Sequence, residues 1–122
     1  PQRNILKHVV APGMFREMPN AGTSNYCCGG GSGFAIMNHY NFPEWRDNVV
    51  SRQKAIQVLE AFKDCLDPSI PKYYCAPCSN CKGAARDALM EHYHFRDKYN
   101  IIYSGLVELN YICITFNQIT II

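Results

Sequence analysis

Residues Asn25-Tyr26-Cys27-Cys28-Gly29-Gly30-Gly31-Ser32-Gly33-Phe34 constrain this chain more than any other stretch. Adjacent cysteines are poorly placed to bond each other, because their Cβ vectors diverge along extended backbone. Both can reach one inorganic centre if the chain folds tightly around it. The glycines that follow permit such a fold, since they tolerate positive φ and let main-chain N–H groups point at an anion. An iron–sulfur cluster held by thiolates is such an anion and takes hydrogen bonds at its sulfurs. A Gly/Ser linker is the plain alternative, but flexible linkers lack a cysteine pair on one side and an apolar Phe34-Ala35-Ile36-Met37 run on the other. The loop is therefore read as a site, with Cys27, Cys28, Gly29, Gly30 and Gly31 as its binding residues.

The remainder of the chain bounds what that site can belong to. At 122 residues, 48% hydrophobic and 18% charged, it is long and apolar enough for one globular domain with a core. A formal charge of +2, with no stripe of Lys and Arg, argues against a nucleic-acid partner. Seven cysteines is an odd number, and no secretory signal pattern accompanies them. A reducing, cytoplasmic setting with metal-bound thiolates is expected rather than a disulfide framework. Every apolar stretch is interrupted before the roughly 20 residues a membrane span needs.

Periodicity gives the elements. Pro1 to Val10 reads as a helix with Ile5, Leu6, Val9 and Val10 on one side, ended by Ala11-Pro12-Gly13. Met14 to Met18 alternates as a short strand. A long helix is expected from Pro43 to Leu66, with Trp45, Val49, Ile56, Leu59, Phe62 and Leu66 on its apolar face and Arg46, Asp47, Lys54, Glu60 and Lys63 on its polar one. Cys65, beside that apolar face, reads as a small buried thiol. Lys72 to Ala76 reads as a strand, Ser79 to His92 as a helix, Asn100 to Tyr103 as a strand and Gly105 to Leu109 as a helical piece. Helices alternating with short strands predict a layered α/β domain whose small, mainly parallel sheet is flanked by helices.

The second cysteine group is Cys75-Ala76-Pro77-Cys78-Ser79-Asn80-Cys81-Lys82-Gly83. A C-x-x-C step at the start of a helix places two thiolates where free N–H groups and the macrodipole favour them. Zinc also uses this spacing, and a redox dithiol is a further option. The dithiol reading explains neither the Cys27-Cys28 pair nor the glycines, so a metal or cluster shared by both groups is favoured.

Read together, Tyr26-Cys27-Cys28-Gly29-Gly30-Gly31-Ser32-Gly33 and Ala76-Pro77-Cys78-Ser79-Asn80-Cys81 resemble the cysteine-rich CCG domain of the heterodisulfide reductase B and D subunits. The wording is most similar to the heterodisulfide-reductase-D-like iron–sulfur subunits of transmembrane redox complexes in sulfate reducers. The resemblance spans residues 1–109 and leaves 110–122 as an unmatched apolar tail, read as an edge strand or an aggregation hazard. It implies a [4Fe–4S] cluster, of non-cubane shape, at which a disulfide-type substrate is cleaved reductively. It further implies Cys27, Cys28, Cys78 and Cys81 as ligands, with Cys75 a weaker candidate. Partners would be other iron–sulfur subunits or membrane quinone-linked subunits, placing the protein in the cytoplasm or at the cytoplasmic face of the inner membrane. The family pattern has one more cysteine upstream of the pair, so the chain is expected to be a carboxy-terminal part of a larger redox protein. No ferredoxin-type cysteine run supplies a second cluster, and the isolated chain is not expected to turn over by itself.

Other polar residues carry less. His39 follows the glycine loop and is a candidate proton donor, though an ordinary surface histidine is the simpler reading. His92 and His94, two apart on one helix, make a poor metal pair. Glu17, Glu44, Glu91 and Glu108 show no paired arrangement for acid–base work. Lys82 is a candidate to offset cluster charge, and Cys113 in the tail reads as a bystander. The readings of another class are a zinc-binding structural or interaction module built on Cys75, Cys78, Cys81 and one of Cys27 or Cys28, and a metal-free shell of the redox domain.

Overall fold

The computed structural model describes residues 1–31, 40–109 and 120–122; Phe34 to Met37, His39 and Cys113 lie outside them. Its frame is a three-stranded parallel sheet in the order β2-β1-β3. The central strand β1, Lys72–Cys75, is aromatic-rich and buried along its whole length, as a parallel strand covered on both faces must be. It pairs with β2, Ile101–Ser104, from Lys72 opposite Ile101 to Cys75 opposite Ser104. On its other side it pairs with β3, Thr120–Ile121, so the far end of the apolar tail is an edge strand of this sheet.

Side chains of a strand alternate between faces, and β1 sorts the core accordingly. Tyr73 and Cys75 turn to one side, where they meet Leu6 and Val10 around helix α1 (Gln2–Val9), with Leu109 and Ile121. Tyr74 and Ala76 turn to the other, against Ala55, Val58 and Phe62 from helix α2 (Arg52–Ala61) and its end, and against Leu89 and Phe95. The protein is thus a layered α/β domain: helix, small parallel sheet, helices. The expected strand at Met14 to Met18 contracts to one bridge, Phe15 opposite Ile121.

The long helix departs most from its expected form. A turn at Pro43–Trp45 leads into a π-helical segment, Arg46–Val50, before α2 begins, and α2 ends at Ala61 instead of Leu66. Each π turn takes up one more residue than an α turn and rotates everything after it, so one face cannot be read through it at a 3.6 period. Val49 and Ile56 consequently lie exposed, as does Trp45 ahead of the segment, whereas Arg46, Asp47 and Lys54 are buried. A second π-helical segment, Ala85–His92, continues helix α3 (Ser79–Ala84). Arg46 joins the two segments through its own neighbour Asp47, 2.6 Å, and Asp87, 3.6 Å, so the buried charges are paired. Helix α4, Phe95–Tyr99, has no counterpart in the sequence periodicity; left-handed His94 and Asn100 bracket it. Cys65 is buried, in keeping with its place beside the apolar face.

Candidate thiolate centre

The two cysteine groups meet at the carboxyl end of β1. The chain leaves that strand at Cys75, passes Pro77 and enters α3 with Cys78 as the residue before its first turn. There the Cys81 and Asn80 N–H groups point back at the Cys78 sulfur and pull its thiol below the usual range. The first loop reaches the same place from the other direction. Cys28 Sγ stands 3.1 Å from Cys81 Sγ, across 53 positions of sequence. That is longer than a disulfide and shorter than the roughly 3.8 Å between two thiolates on one tetrahedral ion. It is a sulfur–sulfur hydrogen bond.

Backbone geometry explains why glycine follows the cysteines. The Gly29 N–H lies 3.3 Å from Cys27 Sγ, and the Gly30 N–H lies 3.4 Å from Cys28 Sγ. Gly29 reaches this arrangement at φ +82, and a Cβ on it would stand 2.5 Å from Val50 Cγ1. Gly30 is pressed against the second loop, where a Cβ would lie 2.8 Å from the Asn80 carbonyl carbon. Among the described residues, none lies within 4 Å of a Cβ placed on Gly31.

Charge is arranged around this contact. One proton serves the pair: the hydrogen bond from Cys81 draws the Cys28 thiol down to about 6, with the Gly30 N–H and the Lys54 charge assisting. Cys81, as donor and in a dry setting, is pushed up. Lys54 is the member of the site that sequence pattern misses. It is 4% exposed, and its ammonium donates to Asn25 Oδ1 at 2.9 Å and Gln57 Oε1 at 2.5 Å. Gln57 Nε2 donates in turn to Asn25 Oδ1 at 3.0 Å and to the Pro19 carbonyl, which ties the start of the cysteine loop to α2. The signal that could have exposed Lys54 is the spacing of Ser51, Ala55, Val58 and Phe62, all buried, which puts residue 54 on the inward side of α2.

Of the sequence candidates, Cys28 and Cys81 are brought together, while Cys27, beside Cys28 in the first loop, and Cys78, just before α3, flank them, exposed. Cys75 is not brought in. It belongs to the α1 side of the sheet, where it lines a cavity of about 280 Å³ with Leu6, Phe15 and Ile122. Burial pushes its thiol up to about 11, with Glu108 adding to the effect. Lys82 pairs with Glu108. His92 contacts Asn48 at 3.1 Å and His94 marks the start of α4, so neither takes part.

The donor set fits a thiolate-held iron–sulfur group in its chemistry: four cysteines on two loops, main-chain N–H groups on three of their sulfurs, and a buried ammonium behind them. Among the described residues no three His, Cys, Asp or Glu side chains already surround one point. Two of the four candidate cysteines meet and two stand by. No family model, curated protein or solved structure matches this chain.

Proposed function

We propose that this chain is an iron–sulfur redox domain that binds a [4Fe–4S] cluster through Cys27, Cys28, Cys78 and Cys81. It would take part in electron transfer to, or reductive cleavage of, a disulfide-type substrate. The observation that carries this reading is the convergence of two distant cysteine loops whose sulfurs already receive main-chain N–H groups. Such N–H donors support zinc thiolates as well; adjacent cysteines followed by glycines favour the iron–sulfur reading, since the potential of an iron–sulfur centre is set by hydrogen bonds to its sulfurs, net charge and exposure.

When bound, the cluster supplies one-electron chemistry at a soft metal able to accept substrate sulfur. The residues of the chain do the rest. Gly29 and Gly30 hold their N–H groups toward the Cys27 and Cys28 sulfurs, and the Gly30 N–H helps to hold Cys28 as a thiolate. Tyr74, buried beneath the contact, and Leu89 keep its inner side free of water. The exposed Cys27 and Cys78 mark the side from which a partner or substrate approaches. The electron donor on this reading is another iron–sulfur subunit or a membrane quinone-linked subunit. A cytoplasmic location, including the cytoplasmic face of the inner membrane, belongs to the same proposal. No helix among the described residues is long and apolar enough to cross a membrane.

Metal and acid-labile sulfide content after anaerobic purification, with EPR spectra of the oxidised and reduced protein, tests the proposal. About four irons and four sulfides per chain support it. One zinc without sulfide replaces it with a structural zinc module, and no metal after reconstitution with iron and sulfide removes it.

A further inference from the structure

Among the described residues, Lys54 is a buried cation with no carboxylate beside it. Its hydrogen bonds go to two neutral amides, Asn25 and Gln57, and it lines one space with the Cys28 sulfur, whose charge acts on it. The other buried cations are provided for differently. Arg46 has Asp47 and Asp87, and the Lys72 ammonium donates to the Asp67 and Ile70 carbonyls, with the Cys65 thiol and then the Asp67 carboxylate acting on it. Burying an ammonium against neutral partners alone is unfavourable, and a fold keeps such a group where a negative charge is there to receive it. The space shared by Lys54, Cys28, Ser51, Tyr74 and Leu89 has no room for a water molecule. In so dry a setting a unit charge acts on its neighbours with much less screening than at the surface.

We infer that Lys54 is the built-in counter-charge of the thiolate centre, and that its ammonium determines how readily the centre takes up an electron. This rests on the iron–sulfur reading of the same site and deepens it. Each thiolate adds negative charge to the centre, and an incoming electron adds one more. A fixed positive charge close by stabilises the reduced form more than the oxidised one and raises the potential. Lys54 touches neither substrate nor reacting atoms, so it is a positioning and tuning residue. Its position on α2, fixed through Gln57 and Asn25, keeps the charge in place whatever the exposed face of the loop is doing.

The test compares wild type with Lys54→Gln and Lys54→Arg. Glutamine keeps a polar head for Asn25 and Gln57 but no charge; arginine keeps the charge. After anaerobic reconstitution, iron and sulfide content tests the cluster reading, and a mediated dithionite titration followed by EPR tests the role of Lys54. At saturating iron and sulfide all three should be loaded to a degree that allows potentials to be compared at equal iron content. In Lys54→Gln the reduced-to-oxidised ratio at a fixed potential should fall at least tenfold, about 59 mV for a one-electron couple. Lys54→Arg should remain near wild type. Equal potentials at equal iron content overturn the inference while leaving the cluster reading intact. Should wild type take up no iron, the cluster reading falls, and titration of the reduced protein with Co²⁺ decides the counter-charge: Lys54→Gln should bind the ion at least tenfold more weakly. Equal Co²⁺ affinity, or no Co²⁺ binding to wild type, overturns it. If Lys54→Gln fails to fold by circular dichroism, Lys54→Met takes its place in the same two titrations.

Discussion

Gly30 lies against the backbone of Asn80, so close that a Cβ on Gly30 would come within 2.8 Å of the Asn80 carbonyl carbon. Neither atom belongs to a flexible side chain, so one of the two cysteine loops must retreat if Gly30 becomes alanine. Retreat opens the Cys28–Cys81 contact. Gly30→Ala should therefore lose at least half of its iron uptake and destabilise the metal-free fold by roughly 1–3 kcal/mol, the usual range for overpacking. Gly31→Ala, where no described residue would touch the added Cβ, should match wild type in both iron content and urea midpoint. Identical behaviour of the two variants would contradict the packing of one loop on the other.

The cysteines divide by sheet face, and serine substitution should divide them in the same way. Cys27→Ser, Cys28→Ser, Cys78→Ser and Cys81→Ser should each abolish cluster loading. Cys75→Ser and Cys65→Ser should leave iron per chain unchanged, since Cys75 sits among the α1-side residues and Cys65 in the core of the other face. Cys113→Ser should also leave it unchanged. Iron content measured across the seven variants decides the ligand set; loss of iron in Cys75→Ser would move the centre across β1.

Sequence is most informative here where local pattern decides structure. The strands at Lys72 and Ile101, the first helix and the helix at Ser79 follow from runs of a few residues with clear punctuation, and the layered α/β class follows from their order. The Cys-Cys-Gly and C-x-x-C groups are equally visible, and the structure brings one cysteine of each together. What escapes depends on phase or on distance. A single π turn after Trp45 rotates the helix, so Val49 and Ile56 are exposed and Lys54 turns inward, which one period carried through from Trp45 does not express. Cys75 is only three residues from Cys78, yet strand alternation sends it through the sheet to the opposite face. Helix α4 is short, and the two left-handed residues that delimit it, His94 and Asn100, do not stand out as breakers.

Ile121 tests whether the end of the apolar tail belongs to the fold. It is fully buried against Tyr73 and Leu6, pairs with Tyr73 across β1 and β3, and exchanges backbone hydrogen bonds with Met14 and Arg16. Ile121→Ala removes buried methyl groups from the cluster around Tyr73 and Leu6. A loss of about 2–5 kcal/mol is expected, read as a lower urea midpoint at constant slope. A loss below about 0.5 kcal/mol would mean that residues 120–122 are not a structural strand.

The thiols also predict how stability follows pH in the reduced, metal-free protein. Cys28 is held near 6 in the fold, against an unfolded thiol near 8.5. Between those values the unfolded chain binds a proton that the folded one does not, so stability rises with pH from about 6 to about 8.5, and is lost as pH falls through the folded value. Above about 8.5 the order reverses. Cys75, raised to about 11, and Cys81, also raised, keep their protons while the unfolded thiols ionise, and stability declines. Cys75 is only 8% exposed, so its share is little reduced by solvent and amounts to something on the order of 2 kcal/mol by pH 11. Urea midpoints under reductant should therefore peak near pH 8.5. Cys28→Ser should flatten the acid limb and Cys75→Ser the alkaline one. Iodoacetamide should label Cys28 well below pH 8 and Cys75 only as pH approaches 11. A wild-type profile flat from pH 6 to 8.5, or equal labelling of the two thiols at neutral pH, would show that the proton does not sit on Cys81.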